Sequence, residues 1–258
     1  MIVYTIALPK GGGGKTAAAA ELVWALVQAG LRVLAIDLDQ QGNLSARMGI
    51  TPDTELAGTT AEVIDASVEI SDAAEPAPSL PGAHILVGAH DLTALEQAPP
   101  ADLVTSLRDM LPAVADRWDA VVIDTPPNVG GLTLAGLAAA DHVVAPVQAA
   151  TEAYDQVERL EATIAERIAR RVRPGQRVAA FIPTMVDRRR LLDREVLTAL
   201  EERFGDRVTP PIRQGVAVRD AYTAGMTVSA YDPRSAVAQD FRAAMDHLLT
   251  TTRGAARA

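Results

Sequence analysis

The sequence predicts a single α/β domain, a mostly parallel twisted sheet flanked by helices on both faces, and three observations lead there. Short, continuously apolar runs rich in Val and Ile recur along the chain, the mark of strands buried on both faces. Stretches with helical periodicity separate these runs, as parallel strands require. The first strand, helix and strand all fit within residues 1–38, a βαβ unit whose right-handed crossover implies parallel pairing. At 258 residues the chain is long enough for one well-filled core, expected over residues 1–250, with 251–258 as a short flexible tail.

Taken in order, Ile2 to Leu8 reads as a buried strand that stops at Pro9 and a glycine cluster. Thr16 to Ala29 is rich in helix formers, with Leu22, Leu26 and Ala29 on one face and Gly30 placed just past the end. Leu31 to Leu38 is the second strand. The acidic, proline-bearing segment from Thr51 to Gly82 keeps enough apolar periodicity at Thr60 to Ala66 for a short helix. Strands are then expected at His84–Val87, Ala120–Ile123, His142–Val147 and Val178–Pro183. Helices are expected at Leu103–Ala115, Leu132–Ala140, Tyr154–Arg171, Asp193–Phe204 and Val237–Thr250. No internal repeat or domain boundary interrupts the alternation.

Composition narrows the function. The chain has no cysteine, which excludes disulfides, thiolate zinc sites and iron–sulfur clusters and is compatible with a reducing compartment. Aromatic residues make up 3%, which disfavours aromatic platforms for stacked bases. The net charge of -9 is unevenly spread: six basic against 21 acidic residues through residue 158, then eighteen against twelve after it. The basic last part is either a set of solvated, ion-paired helix faces or a surface for a polyphosphate. The first residues lack the basic start and cleavage site of a signal peptide, and no apolar run is long enough to cross a bilayer. A cytoplasmic protein without a membrane partner is therefore expected. The four histidines, at 84, 90, 142 and 247, show no metal-ligand spacing.

Three motifs carry chemistry. The first, Lys10-Gly11-Gly12-Gly13-Gly14-Lys15-Thr16, lies between a strand and a helix. Consecutive glycines let backbone N–H groups curl around phosphate oxygens, and the helix N-terminus adds partial positive charge. Lys15 would reach the β and γ phosphates of a nucleotide and Thr16 would offer its hydroxyl to Mg²⁺, as in P-loop NTPases. The second, Asp37-Leu38-Asp39-Gln40-Gln41-Gly42-Asn43, ends the second strand, at the sheet edge where such folds bind ligands. The third is the apolar strand Val121-Val122-Ile123 followed by Asp124-Thr125-Pro126-Pro127. Asp124 is placed to bind Mg²⁺ through water.

Pro9 stands where the common phosphate-loop pattern has glycine, and Lys10 with GGGGKT resembles instead the deviant Walker A motif, KGGxGK[ST], of the ParA/MinD family. DLDQQGN resembles that family's switch I, and Asp124 to Pro127 its DTPP switch II. The likeness continues through Ala139-Ala140-Asp141 to Val147-Gln148 and Thr184-Met185-Val186-Asp187-Arg188-Arg189, and so covers about residues 2–249.

The resemblance implies a Mg²⁺-dependent ATPase, weak alone and stimulated by a ParB-like centromere-binding protein, that forms a homodimer with ATP, binds double-stranded DNA nonspecifically and serves chromosome or plasmid segregation at the nucleoid. It gives Lys10 a contact with the partner's ATP phosphates, makes Asp39 the residue that orients the attacking water, and has Asp37 support Lys15 and the Mg²⁺ shell. Gly11 to Thr16 cradle the phosphates. Ala17 departs from a common second threonine and retains its N–H for the α phosphate. Met185 and Pro211 are assigned to the adenine side. Arg189 is the first choice for DNA, followed by Arg219, Arg188, Arg190 and Arg213. A chain beginning at the first strand carries no expectation of an operator-reading helix-turn-helix. Related alternatives are a positioning ATPase for another cargo and a MinD-type division regulator. The latter calls for an amphipathic C-terminal helix, which the small and poorly apolar residues 250–258 do not supply.

Overall fold

The computed structural model describes residues 1–255. In chain order it contains β1 (Ile2–Ile6), α1 (Lys15–Gln28), β2 (Val33–Asp37), α2 (Asn43–Arg47), α3 (Thr60–Ile64), α4 (Ile70–Ala73), β3 (Glu75–Pro76), β4 (Ala83–Leu86), α5 (Leu92–Gln97), α6 (Leu103–Met110) and β5 (Ala120–Asp124). It continues with α7 (Gly131–Ala139), β6 (His142–Gln148), α8 (Ala153–Thr163), β7 (Val178–Thr184), α9 (Leu191–Phe204), α10 (Ala217–Thr223), α11 (Val228–Tyr231) and α12 (Ala236–Ala255).

Among the described residues one seven-stranded sheet runs in the order β3-β4-β2-β5-β1-β6-β7. Every pair is parallel except β3 with β4. Burial on both faces accounts for the unbroken apolar strands. On one face Leu22 and Leu26 of α1 and Phe241 and Leu248 of α12 pack on Tyr4, Ala35 and Val122. On the other, Leu107 of α6, Leu132 of α7 and Trp118 pack on Ile36 and Ile123, and α8 and α9 extend that layer over β6 and β7. The expected single α/β fold with a mostly parallel sheet is thus realised, with β1 lying between β5 and β6.

The differences from the sequence reading have physical causes. Helices α2, α5, α10 and α11 have four to seven residues each, too few to display a period of 3.6. The short α3 forms where expected because Thr59 and Glu62 make a capping box. The helix expected through Arg171 changes at Ile164 to a wide π turn, Ile164–Ala169. The last helix runs past Thr250 to Ala255, and the buried Thr252 hydroxyl lies 3.1 Å from that of Tyr4. The end of the expected tail, 256–258, lies outside the described residues. No helix among the described residues is long and apolar enough to cross a membrane.

Candidate active site

β1 ends in mid-sheet, and the chain turns through Pro9 and the glycines before α1 begins at Lys15. Gly12 and Gly14 have φ of 78° and 86°, a left-handed geometry that a Cβ disfavours. At the end of β7 the buried Thr184 donates its hydroxyl to the Gly13 carbonyl at 2.9 Å, pinning the loop to the neighbouring strand. Lys15 is buried, and its ammonium donates to the Lys10 carbonyl at 2.8 Å, curling back over the loop. Burial lowers its pKa, while Asp124 and Asp39 act in the opposite direction. Thr16 is half-buried beside it. The Ala17 methyl lies in the core, so toward a ligand this residue has only its main chain to offer. Lys10 is half-exposed, 3.7 Å from Glu152.

Parallel register brings the acidic residues to the same edge. Asp37 pairs with Asp124 across β2 and β5, and Ile6 pairs with Asp124 across β1 and β5. The Leu38 N–H donates to the Asp124 carbonyl at 3.0 Å. The fully buried Asp37 accepts from the Asp39 N–H at 3.1 Å on one oxygen and, on the other, from the Ser45 N–H and hydroxyl at 2.9 and 2.8 Å. Burial still raises its carboxyl to about 6. Asp124 is equally buried, and neither of its oxygens has a hydrogen-bond partner among the described residues. Burial first, and then the Asp37 carboxylate, raise it to about 8, against the opposing influence of Thr16 and Lys15. Asp39 stands at the rim, half-buried, accepting from the Gln41 N–H at 3.0 Å.

The donor set fits a magnesium nucleotide. A glycine cradle and a 14-residue helix suit the polyphosphate. Mg²⁺ is held by one or two carboxylates together with phosphate oxygens, and Asp124, with two orphaned buried oxygens beside Thr16, matches that need. A bound Mg²⁺ would supply charge neutralisation between the carboxylate and the phosphates.

At the carboxyl end of β7 the structure gathers the other expected residues. A cleft of about 580 Å³ is lined by Asp187, Arg188, Arg189, Pro211, Arg213 and Arg219, among others. Met185 precedes it with a left-handed φ of 56°. Arg189 makes a bidentate pair with Asp187, both contacts at 2.9 Å, yet its side chain is 91% exposed. Arg190 lies 3.8 Å from the same carboxylate, and Arg213 is paired with Asp240. Among the described residues Arg188 and Arg219 form no ion pair, so the cleft's cations are only partly neutralised.

Two supports went unread in the sequence. Ser45 completes the hydrogen bonding of Asp37, and its hydroxyl accepts the Gly88 N–H at 3.1 Å. A Cβ on Gly88 would stand 2.7 Å from the Asp39 carbonyl and 2.8 Å from the Asp37 carboxyl carbon, so glycine alone fits there. The spacing 37–45 carries a weak signal, a polar residue following the switch, and Gly88 carries none.

Comparisons with known proteins agree with this geometry. A family model described as an AAA domain matches residues 1–175. The chain is similar to the chromosome partitioning protein ParA of Caulobacter vibrioides, 35% identical over 93% of this chain and 90% of that one. It is similar at 35% identity, over 92% and 91%, to the chromosome-partitioning ATPase Soj of Thermus thermophilus. Among solved structures it resembles a cobyrinic acid a,c-diamide synthase from Mycobacterium smegmatis with bound ATP analogue and magnesium, at 31% identity, TM-score 0.82 and coverage of 96% and 94%.

Proposed function

We propose, from the premise that the chain belongs to the ParA/Soj family of partitioning ATPases, a cycle in which Mg-ATP assembles a DNA-binding homodimer and hydrolysis takes it apart. The chain is an ATPase of the partitioning or positioning kind. The observation that carries its chemistry is Asp124, buried beside Lys15 and the glycine loop and without a hydrogen-bond partner among the described residues. In the cycle Lys15 and the loop N–H groups hold the phosphates, Thr16 and Asp124 hold Mg²⁺, and Asp37 fixes the loop that carries Asp39. Asp39 then orients water for attack, a task of positioning rather than covalent chemistry.

Lys10 leaves Glu152 and reaches the phosphates of a second copy, which ties dimerisation to nucleotide because two facing lysines without phosphates repel. The arginine cleft supports nonspecific contact with the phosphates of double-stranded DNA, a binding mode that is strongly salt-dependent. Met185 and Pro211 flank the adenine. Hydrolysis is weak until a ParB-like partner stimulates it, and the cargo is a chromosome or plasmid carried on the nucleoid.

The test is binding to an arbitrary duplex with ATP, ADP or neither, at two salt concentrations, for the native chain and Arg189→Ala. Salt-sensitive binding confined to ATP and weakened by the substitution is the expected result. Absence of DNA binding in every nucleotide state overturns the DNA step, and undiminished hydrolysis by Asp39→Ala overturns the chemical one.

A further inference from the structure

Behind the carboxylates a second polar cluster is buried between four helices, and it lies outside the site described above. Glu21 of α1 is buried, and its Oε1 accepts the N–H groups of Val228 and Ser229, at 2.5 and 3.1 Å, in the first turn of α11. Its other oxygen, Nε of Arg47 and the Ser229 hydroxyl are buried with no hydrogen-bond partner among the described residues. Arg47 closes α2. Its guanidinium lies 5.0 Å from the ring centre of Tyr222 in α10, and Nη2 is 3.5 Å from the Val218 carbonyl. The Tyr222 hydroxyl donates to Asn43, the first residue of α2, at 2.8 Å. At the end of α10, Gly225 comes so near α2 that a Cβ would stand 3.2 Å from the Ala46 carbonyl.

The α10–α11 segment is therefore gripped twice from the nucleotide side. Glu21 holds it from α1, the helix that begins with Lys15. Asn43 and Arg47 hold it from α2, which Asp37 anchors through Ser45. The same segment carries Arg219 into the basic cleft. Glu21 and Arg47 are buried groups of opposite type; burial raises the Glu21 carboxyl and lowers the Arg47 guanidinium, each partly offset by the other, and among the described residues no ion pair joins them. Buried polar atoms left without a partner are costly, and Glu21 Oε2 and Arg47 Nε are an acceptor and a donor left over in the same cluster. A complementary pair left unjoined between packed helices is the kind of element that two sites can bias in common.

We infer that Glu21, Arg47 and Tyr222 form a relay through which nucleotide at the glycine loop sets the packing of α10 and α11, and with it the presentation of Arg219. The relay rests on the proposed ATP-dependent DNA binding only for its consequence at DNA, so it is tested without DNA. Amide hydrogen exchange is followed in peptides covering residues 10–20 and 217–231, with and without Mg²⁺ and AMPPNP. In the native chain the analogue slows both segments, the second by about fivefold or more. Tyr222→Ala, at a side chain 39% exposed, retains the slowing at 10–20 and loses it at 217–231. Glu21→Gln, which keeps the shape and removes the charge, does the same, and Tyr222→Phe, which keeps the ring over which Arg47 lies, gives a partial loss. A native 217–231 segment indifferent to the analogue, or Tyr222→Ala with full slowing there, overturns the relay. Slowing in neither segment overturns the nucleotide site and the relay together. An intact relay in a chain that binds no DNA overturns the DNA reading and leaves the relay standing.

Discussion

Asp37 and Asp124 face each other across β2 and β5, both fully buried, yet among the described residues Asp37 accepts three hydrogen bonds and Asp124 none. The same strand position thus holds one carboxylate built into the scaffold and one left open for a ligand. The first is a support, and the second is the group a cation would find.

Their titration predicts how stability depends on pH. Burial holds Asp37 near 6 and Asp124 near 8, both above the unfolded carboxylate value of about 4. A carboxyl raised in the folded state favours folding fully below the unfolded pKa, and that contribution is lost as pH rises through the folded value. The nucleotide-free chain therefore loses stability between about pH 4 and pH 8. Asp124→Asn flattens this decline and raises Tm at pH 8 by about 2–4 °C, the shift that about 1 kcal/mol gives in a domain of this size, while hydrolysis falls to background. Thermal unfolding across pH, with a phosphate-release assay, checks both. A variant with the native slope refutes the assignment of the unpaired charge.

Gly88→Ala places a methyl against two main-chain carbonyls and the Asp37 carboxyl carbon, none of which yields like the end of a flexible side chain. Overpacking of this kind costs about 1–3 kcal/mol, and the shift falls on the loop between Asp37 and Asp39. Urea unfolding should show the loss, and kcat should drop more than KM rises, because the proposed phosphate contacts lie in the glycine loop and not at Gly88.

Thr184→Val removes one hydroxyl and nearly conserves volume. The Gly13 carbonyl loses its 2.9 Å donor, at a cost of about 1 kcal/mol. The glycine loop loosens, and the Kd for an ATP analogue, measured by calorimetry, should rise several-fold.

Asp187→Ala frees Arg189 from its bidentate partner and removes the carboxylate near Arg190. Nonspecific DNA affinity should rise, and the slope of log K against log salt should steepen by about one counterion. Unchanged affinity and slope would place the DNA surface away from this cleft.

The six parallel strands and all three motifs were legible because each is local. Val121 to Asp124 shows its strand and its carboxylate in consecutive letters, and Lys10 to Thr16 shows a glycine loop between a strand and a helix. What stayed hidden joins distant positions. Thr184 meets Gly13 across 171 residues, and Tyr222 meets Asn43 across 179. No periodicity records such pairs. The short β3 was equally hidden, since two residues pairing antiparallel have no pattern of their own.

The two margins of the sheet bear on how copies of the chain can meet. At one margin β3 is two residues long and contains Pro76, which has no N–H to offer a neighbour. At the other, Val208 and Arg213 bridge to Phe181 and Val186 along the flank of β7. Among the described residues neither margin offers a long bare strand on which a second chain could extend the sheet. Assembly by continuous β-pairing, which is hard to undo, is thereby discouraged.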